Sequence, residues 1–111
     1  MIDNTEKTAA LMGKMKAALP MGAGVTARAH EALRAESPDL AIPRRCEITT
    51  IYYFGDEGGI VCTLDLPDTK NAHIISITHL TFGRGDPLSR EIRAYQKHRI
   101  RRLRRLDGRR F

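Results

Sequence analysis

EITTIYYFGDEGGIVCTLDLP, residues 47–67, decides the fold. Two runs rich in β-branched and aromatic residues, Glu47 to Phe54 and Gly59 to Leu66, flank Gly55-Asp56-Glu57-Gly58. Strand formers bracketing a glycine-containing turn predict a β-hairpin. With Asp56 and Glu57 at the turn centre, Phe54 faces Gly59, Tyr52 faces Val61 and Ile51 faces Cys62. Side chains alternate across a sheet, so Ile51, Tyr53, Ile60, Cys62, Leu64 and Leu66 share an apolar face. Ile48, Thr50, Tyr52, Phe54, Val61 and Thr63 share a mixed one. A third strand, His73 to Leu80, follows a turn at Pro67 to Asn71 and adds Ile75 and Ile77 to the apolar face. Consecutive strands usually pair, so a three-stranded antiparallel meander is expected.

Helices flank the strands. Asp3 or Asn4 caps a helix running to about Leu19, with Glu6 placed for a capping box and Leu11, Met12, Met15 and Leu19 on one side. A weaker helix runs from Thr26 to Glu36, and Ser37-Pro38 ends it. The glycines of PMGAGVTA read as a loop, as does the proline-bearing segment from Pro38 to Cys46. Asp86-Pro87 suits the start of a third helix, because Asp caps well and Pro tolerates the first helical position. From there Leu88, Ile92, Tyr95, Arg99, Leu103 and Leu106 recur at helical spacing to Gly108, a stretch roughly 28 Å long. The expected architecture is therefore α+β: the meander packed against a long C-terminal helix with one or two N-terminal helices, in the order α-α-β-β-β-α.

Its 111 residues suit a single domain, residues 1–111, with 107–111 as a loose end. Apolar residues make up 41% and charged residues 29%, as in folded chains, but aromatics reach only 5% and Trp is absent. The core must therefore rest on aliphatic side chains. Cys46 and Cys62 are too few for a disulfide framework. Neither a leader peptide nor a membrane span is visible, so the sequence reads as cytoplasmic.

Charge is unevenly placed. Residues 1–83 hold 8 Lys and Arg against 10 Asp and Glu, a net of −2, whereas residues 84–111 hold 11 against 3, a net of +8. A basic segment on a slightly acidic body points to an anionic partner. Arg90, Arg93, Lys97, Arg101 and Arg104 recur at steps of three and four, forming a ridge opposite the apolar stripe, and Arg102, Arg105, Arg109 and Arg110 widen it. Such a ridge attracts phosphate through counterion release and bidentate Arg contacts. It also suits a packed helix whose long basic side chains cover its flanks. Arg99 breaks the pattern: its spacing puts a charge on the apolar stripe, where it should snorkel, lie at an interface or pair with an acid such as Asp65 or Glu47.

Two other features bear on function. Tyr52 and Phe54, on the mixed sheet face, could stack on unpaired bases. Leu88, Ile92, Tyr95, Leu103 and Leu106 make a seam that could bind a second chain or form a homodimer. No His or Cys spacing suits a metal, since His73 and His79 would lie about 20 Å apart along one strand. Asp56 and Glu57 form an exposed turn, Arg84-Gly85-Asp86 is a helix start, and nothing supplies a nucleophile, a base and an orienting group together. The sequence thus reads as a non-enzymatic binding module with no cofactor. Its Arg-rich helix would contact RNA, DNA or another polyanion such as an acidic protein surface, and a protein-interaction role for the same helix is the alternative.

Overall fold

A computed structural model describes residues 3–39, 41–66 and 73–108, the side chains of 107 and 108 excepted. The fold is α+β. Helix α1 (Thr5–Ala17) precedes strand β1 (Met21–Val25), helix α2 (Ala27–Glu36) and strand β2 (Arg45–Tyr53). A single helical turn, α3 (Gly55–Gly58), leads to β3 (Ile60–Asp65), β4 (His73–Ser76) and β5 (Leu80–Thr81), and α4 (Ser89–Gly108) ends the described chain. The strands form one antiparallel sheet in the order β4-β3-β2-β1-β5.

The expected hairpin is present in its expected register, Ile51 opposite Cys62 and Tyr52 opposite Val61, with the Phe54 N–H donating to the Gly59 carbonyl at 2.8 Å. The meander of β2, β3 and β4 forms one side of a larger sheet, with β4 at its edge. MGAGV, Met21–Val25, supplies β1, so the order begins α-β-α and not α-α. Glycine content hid this strand, but Met21 and Ala23 alternate inward as a half-buried strand requires. Ile48 also moves. A register shift between Ile48 and Thr50 puts an extra residue into β2, which returns Cys46 and Ile48 to the face of Ile51.

The third expected strand is interrupted. Ser76 Oγ accepts from the Thr78 N–H at 3.2 Å and starts a 3₁₀ turn, Ile77–His79, after which β5 pairs with β1 at the opposite edge of the sheet. Three extended residues span about 10 Å. Five flat strands would be about 19 Å wide. The sheet is therefore curled until its two edges approach across the 3₁₀ turn. Gly24 permits the closure, because a Cβ at this position would collide with the Thr81 hydroxyl.

The core fills the concave side. Ile48, Ile51, Ile60, Cys62, Leu64, Ile75 and Ile77 meet Leu11 and Met15 of α1, Ala29 and Leu33 of α2, and Ile92 and Tyr95 of α4. Asn4 caps α1 by accepting from the Lys7 N–H at 3.0 Å, and Thr26 caps α2 by accepting from Ala29 at 3.1 Å. Curling leaves backbone groups without sheet partners, and α4 supplies them. Gln96 Nε2 donates to the carbonyls of Ile77 at 2.7 Å and Leu80 at 2.8 Å, and the Ile60 N–H donates to the Tyr95 hydroxyl at 2.8 Å.

Gly59 holds this junction. Its φ of 64° and ψ of −143° suit glycine alone, and a Cβ there would overlap the Tyr95 hydroxyl and the Arg99 guanidinium. Gly59→Ala is expected to cost more than about 2 kcal/mol in urea unfolding. Gly13→Ala, in an exposed turn of α1 with open space around the added methyl, should instead gain about 0.5–1 kcal/mol.

Candidate polyanion interface

Helix α4 begins at Ser89, three residues after Asp86, whose Oδ1 accepts from the Leu88 N–H at 2.8 Å and whose carbonyl accepts from Ser89 at 3.1 Å. Its buried residues are Ile92, Tyr95 and Arg99. Steps of three and four put all three on one side. Beyond Arg99 the burial stops: each residue from Ile100 to Leu106 is exposed, so the last two turns leave the body. Arg90, Arg93, Lys97, Arg101 and Arg104 lie exposed on the side away from the core, as their spacing predicts, with Arg102 and Arg105 beside them. None of Arg90, Arg93, Lys97, Arg101, Arg104 and Arg105 forms an ion pair with a described residue. Arg109 and Arg110 lie outside the described residues.

Arg99 resolves its conflict with the stripe by pairing inside the protein. It is 3% exposed, and its Nη1 donates to Asp3 Oδ2 at 3.0 Å, while Nη2 donates to the Asp56 carbonyl at 2.7 Å. Neither Asp65 nor Glu47 is the partner: those two face each other across β2 and β3 and are exposed. Asp3 itself is 4% exposed and also accepts from the Tyr53 hydroxyl at 2.9 Å and the Tyr95 hydroxyl at 3.3 Å. Burial, and then the Asp3 carboxylate, push the Tyr53 and Tyr95 phenols up to about 12. The capping role expected of Asp3 falls to Asn4 alone.

The apolar seam divides. Ile92 and Tyr95 lie in the protein's own core and Leu88 packs against it, whereas Leu103 and Leu106 are 37% and 42% exposed on the protruding turns. On the convex side of the sheet, Tyr52 and Phe54 stand 41% and 52% exposed, their ring centroids 6.4 Å apart and 32° from parallel. Ile74, two strands away, is also exposed, whereas Val61 and Thr63 between them on the same face are buried.

Other chemistry is quiet. Cys46 and Cys62 are free and buried, and burial raises both thiols, Cys62 to about 12, which disfavours the reactive thiolate. Burial, with Arg28 nearby, lowers the pKa of His79. A cleft of about 450 Å³ between α1 and α4 is walled by Lys7, Thr8, Leu11, Glu91, Tyr95 and His98, and the Lys14–Glu91 ion pair at 2.8 Å ties the same two helices. Among the described residues no group of His, Cys, Asp or Glu could hold a metal ion, and no helix is long and apolar enough to cross a membrane. The chain matches no protein-family model, no curated protein and no solved structure.

Breaking the buried pair should be costly. Arg99→Met leaves Asp3 buried and uncompensated and is expected to lower stability by about 3–5 kcal/mol, whereas Arg99→Met combined with Asp3→Leu should cost less than the sum of the two changes. A double-mutant cycle by chemical denaturation measures this. Raised phenol pKa values mean that the folded state holds protons which the unfolded state releases. The stability contributed by Tyr53 and Tyr95 is thus complete below pH 10 and lost as pH rises through about 12. Tyrosinate absorbance, compared between the native protein and Tyr53→Phe, follows that loss.

Proposed function

We propose that this protein is a non-enzymatic binding module whose C-terminal helix contacts RNA, DNA or another polyanion. The reading is carried by one observation: the cations of α4 that are exposed and unpaired belong to a helix whose last two turns project from the body. An isolated pair of surface charges is worth little. A row of uncompensated guanidinium groups along a helix is different, because a polyanion can neutralise several at once and release its counterions. The helix is also preorganised, held by Arg99, Gln96 and Tyr95 at its root, so little ordering entropy opposes binding.

A protein-interaction role has its own support in Leu103 and Leu106, exposed in line with the buried Ile92 and Arg99. Such a seam could meet an acidic protein surface. A second copy fits less well, because pairing two such turns also brings their arginines together, and like charges repel.

Polyanion binding predicts affinity that falls steeply with salt. Replacing Arg101, Arg104 and Arg105 by Gln should reduce the slope of log K against log salt by about one for each arginine that touches phosphate. Because these side chains are exposed, the thermal midpoint should barely move. Unchanged affinity in this triple variant, measured by fluorescence anisotropy, would overturn the reading. The interaction alternative predicts instead a mass above 12.5 kDa in sedimentation that falls on Leu103→Lys.

A further inference from the structure

Two aromatic side chains left side by side on a surface need a reason in a chain so poor in aromatics. Tyr52 and Phe54 are two of only six Tyr and Phe residues. Burying such rings is among the larger stabilising gains open to a small core. Their exposure on the convex face gives up part of that gain at the tip of the β2–β3 hairpin.

The tip is not an isolated feature. Phe54 directly precedes α3, and the Asp56 carbonyl of α3 accepts from Arg99 at 2.7 Å. Ile60, just past the same turn, donates to Tyr95. The aromatic pair and the point at which α4 leaves the body are thus joined by direct hydrogen bonds on one rigid frame. The tilted ring pair lies on the convex side and the exposed arginines on the far side of α4, so a bound chain reaching both would have to turn over the hairpin tip.

From this arrangement we infer that the ligand of the polyanion site is a single-stranded nucleic acid, whose bases stack on Tyr52 and Phe54 while its phosphates follow the exposed arginines of α4. The inference rests on the polyanion reading and narrows it. A duplex keeps its base faces stacked inside, so it could use the arginines but not the rings; only an unpaired strand offers both phosphate and π-face together. The exposed carboxylate of Glu57 at the turn disfavours phosphate there, which assigns the backbone to α4 and base faces to the rings. Thr50, two residues back on the same strand, and Ile74, two strands away, lie on the same side of the sheet, where a flanking sugar or base can rest.

The test uses the full chain and a labelled mixed-sequence oligonucleotide, alone and annealed to its complement, in anisotropy titrations at matched salt. The single strand should bind at least tenfold more tightly than the duplex. Tyr52→Ala with Phe54→Ala should weaken single-strand binding by roughly tenfold or more while leaving duplex binding within twofold. Arg101→Gln with Arg104→Gln and Arg105→Gln should weaken both. A second readout needs no destabilising change. With no Trp to mask it, tyrosine emission should be quenched on binding the single strand, and Tyr52→Phe should remove most of the quenching while keeping the affinity. Equal affinity for strand and duplex, with no effect of the aromatic changes, would overturn this inference and leave the polyanion reading intact. Failure of the native protein to bind either oligonucleotide would overturn both.

Discussion

The ion pair between Asp3 and Arg99 joins residues 96 positions apart and decides where the C-terminal helix sits. Burying two charges is expensive, and an ion pair in the interior repays its desolvation only when the remaining donors and acceptors are also used. Here Asp3 Oδ2 receives two phenols besides the guanidinium, and the guanidinium also reaches the Asp56 carbonyl; one carboxylate oxygen carries the network, because Oδ1 is buried without a hydrogen-bond partner among the described residues. The network therefore touches the start of the chain, the hairpin tip and α4 together. It fixes their relative positions more narrowly than aliphatic contact would, since hydrogen bonds demand distance and direction where apolar packing demands only volume.

The curl of the sheet accounts for the polar residues on the buried side of α4. A sheet curled until its edges approach leaves carbonyls and amides pointing at a helix and not at another strand. Tyr95 and Gln96 meet those groups one by one, at Ile60 and at Ile77 and Leu80, while Arg99 reaches the Asp56 carbonyl of α3 at the hairpin tip. A helix presenting only Leu and Ile there would have buried each of these backbone groups without a partner, at a cost of about 1–3 kcal/mol apiece. The polar residues on the stripe thus follow from the closure of the sheet, and Gly59 follows from them, because it vacates the volume that the Tyr95 hydroxyl and the guanidinium occupy.

The hairpin and its register were legible because strand composition, turn chemistry and alternation agree over Glu47 to Leu66. The rest of the sheet was not. β1 is short, with two glycines in five residues, a composition that signals a loop, and its pairing with β5 sets Thr81 over Gly24, a contact between residues 57 apart. The break at Ser76 came from a side chain competing with the ladder for a backbone N–H, which periodicity does not register. The shift at Thr49 likewise reversed the side of Ile48 without changing any local propensity. In the candidate interface, the ridge from Arg90 to Arg104 could be read directly, since helical spacing alone places it. Arg99 stood out as an anomaly, yet its partner could not be named. Asp3 looked like a capping residue, and only the folded chain brings residue 3 beside residue 99.

Helix α4 thereby serves two requirements that pull its composition in opposite directions. Up to Arg99 it must satisfy a polar seam and fill a core, so Ile92, Tyr95, Gln96 and Arg99 are each matched to one position on the sheet. Past Arg99 each described side chain is exposed, arginines interleaved with Ile100, Leu103 and Leu106. A helix end serving stability alone would be expected to stop near its last buried residue, because two further turns order side chains in solvent and gain little packing in return. Arginines crowded at a helix C-terminus gain from the dipole only within its last turn, which does not account for Lys97, Arg93 or Arg90 further back. The cationic side of α4 is the surface that the proposed polyanion contact would use, with the buried ion pair at its root tying the helix to the start of the chain and the hairpin tip.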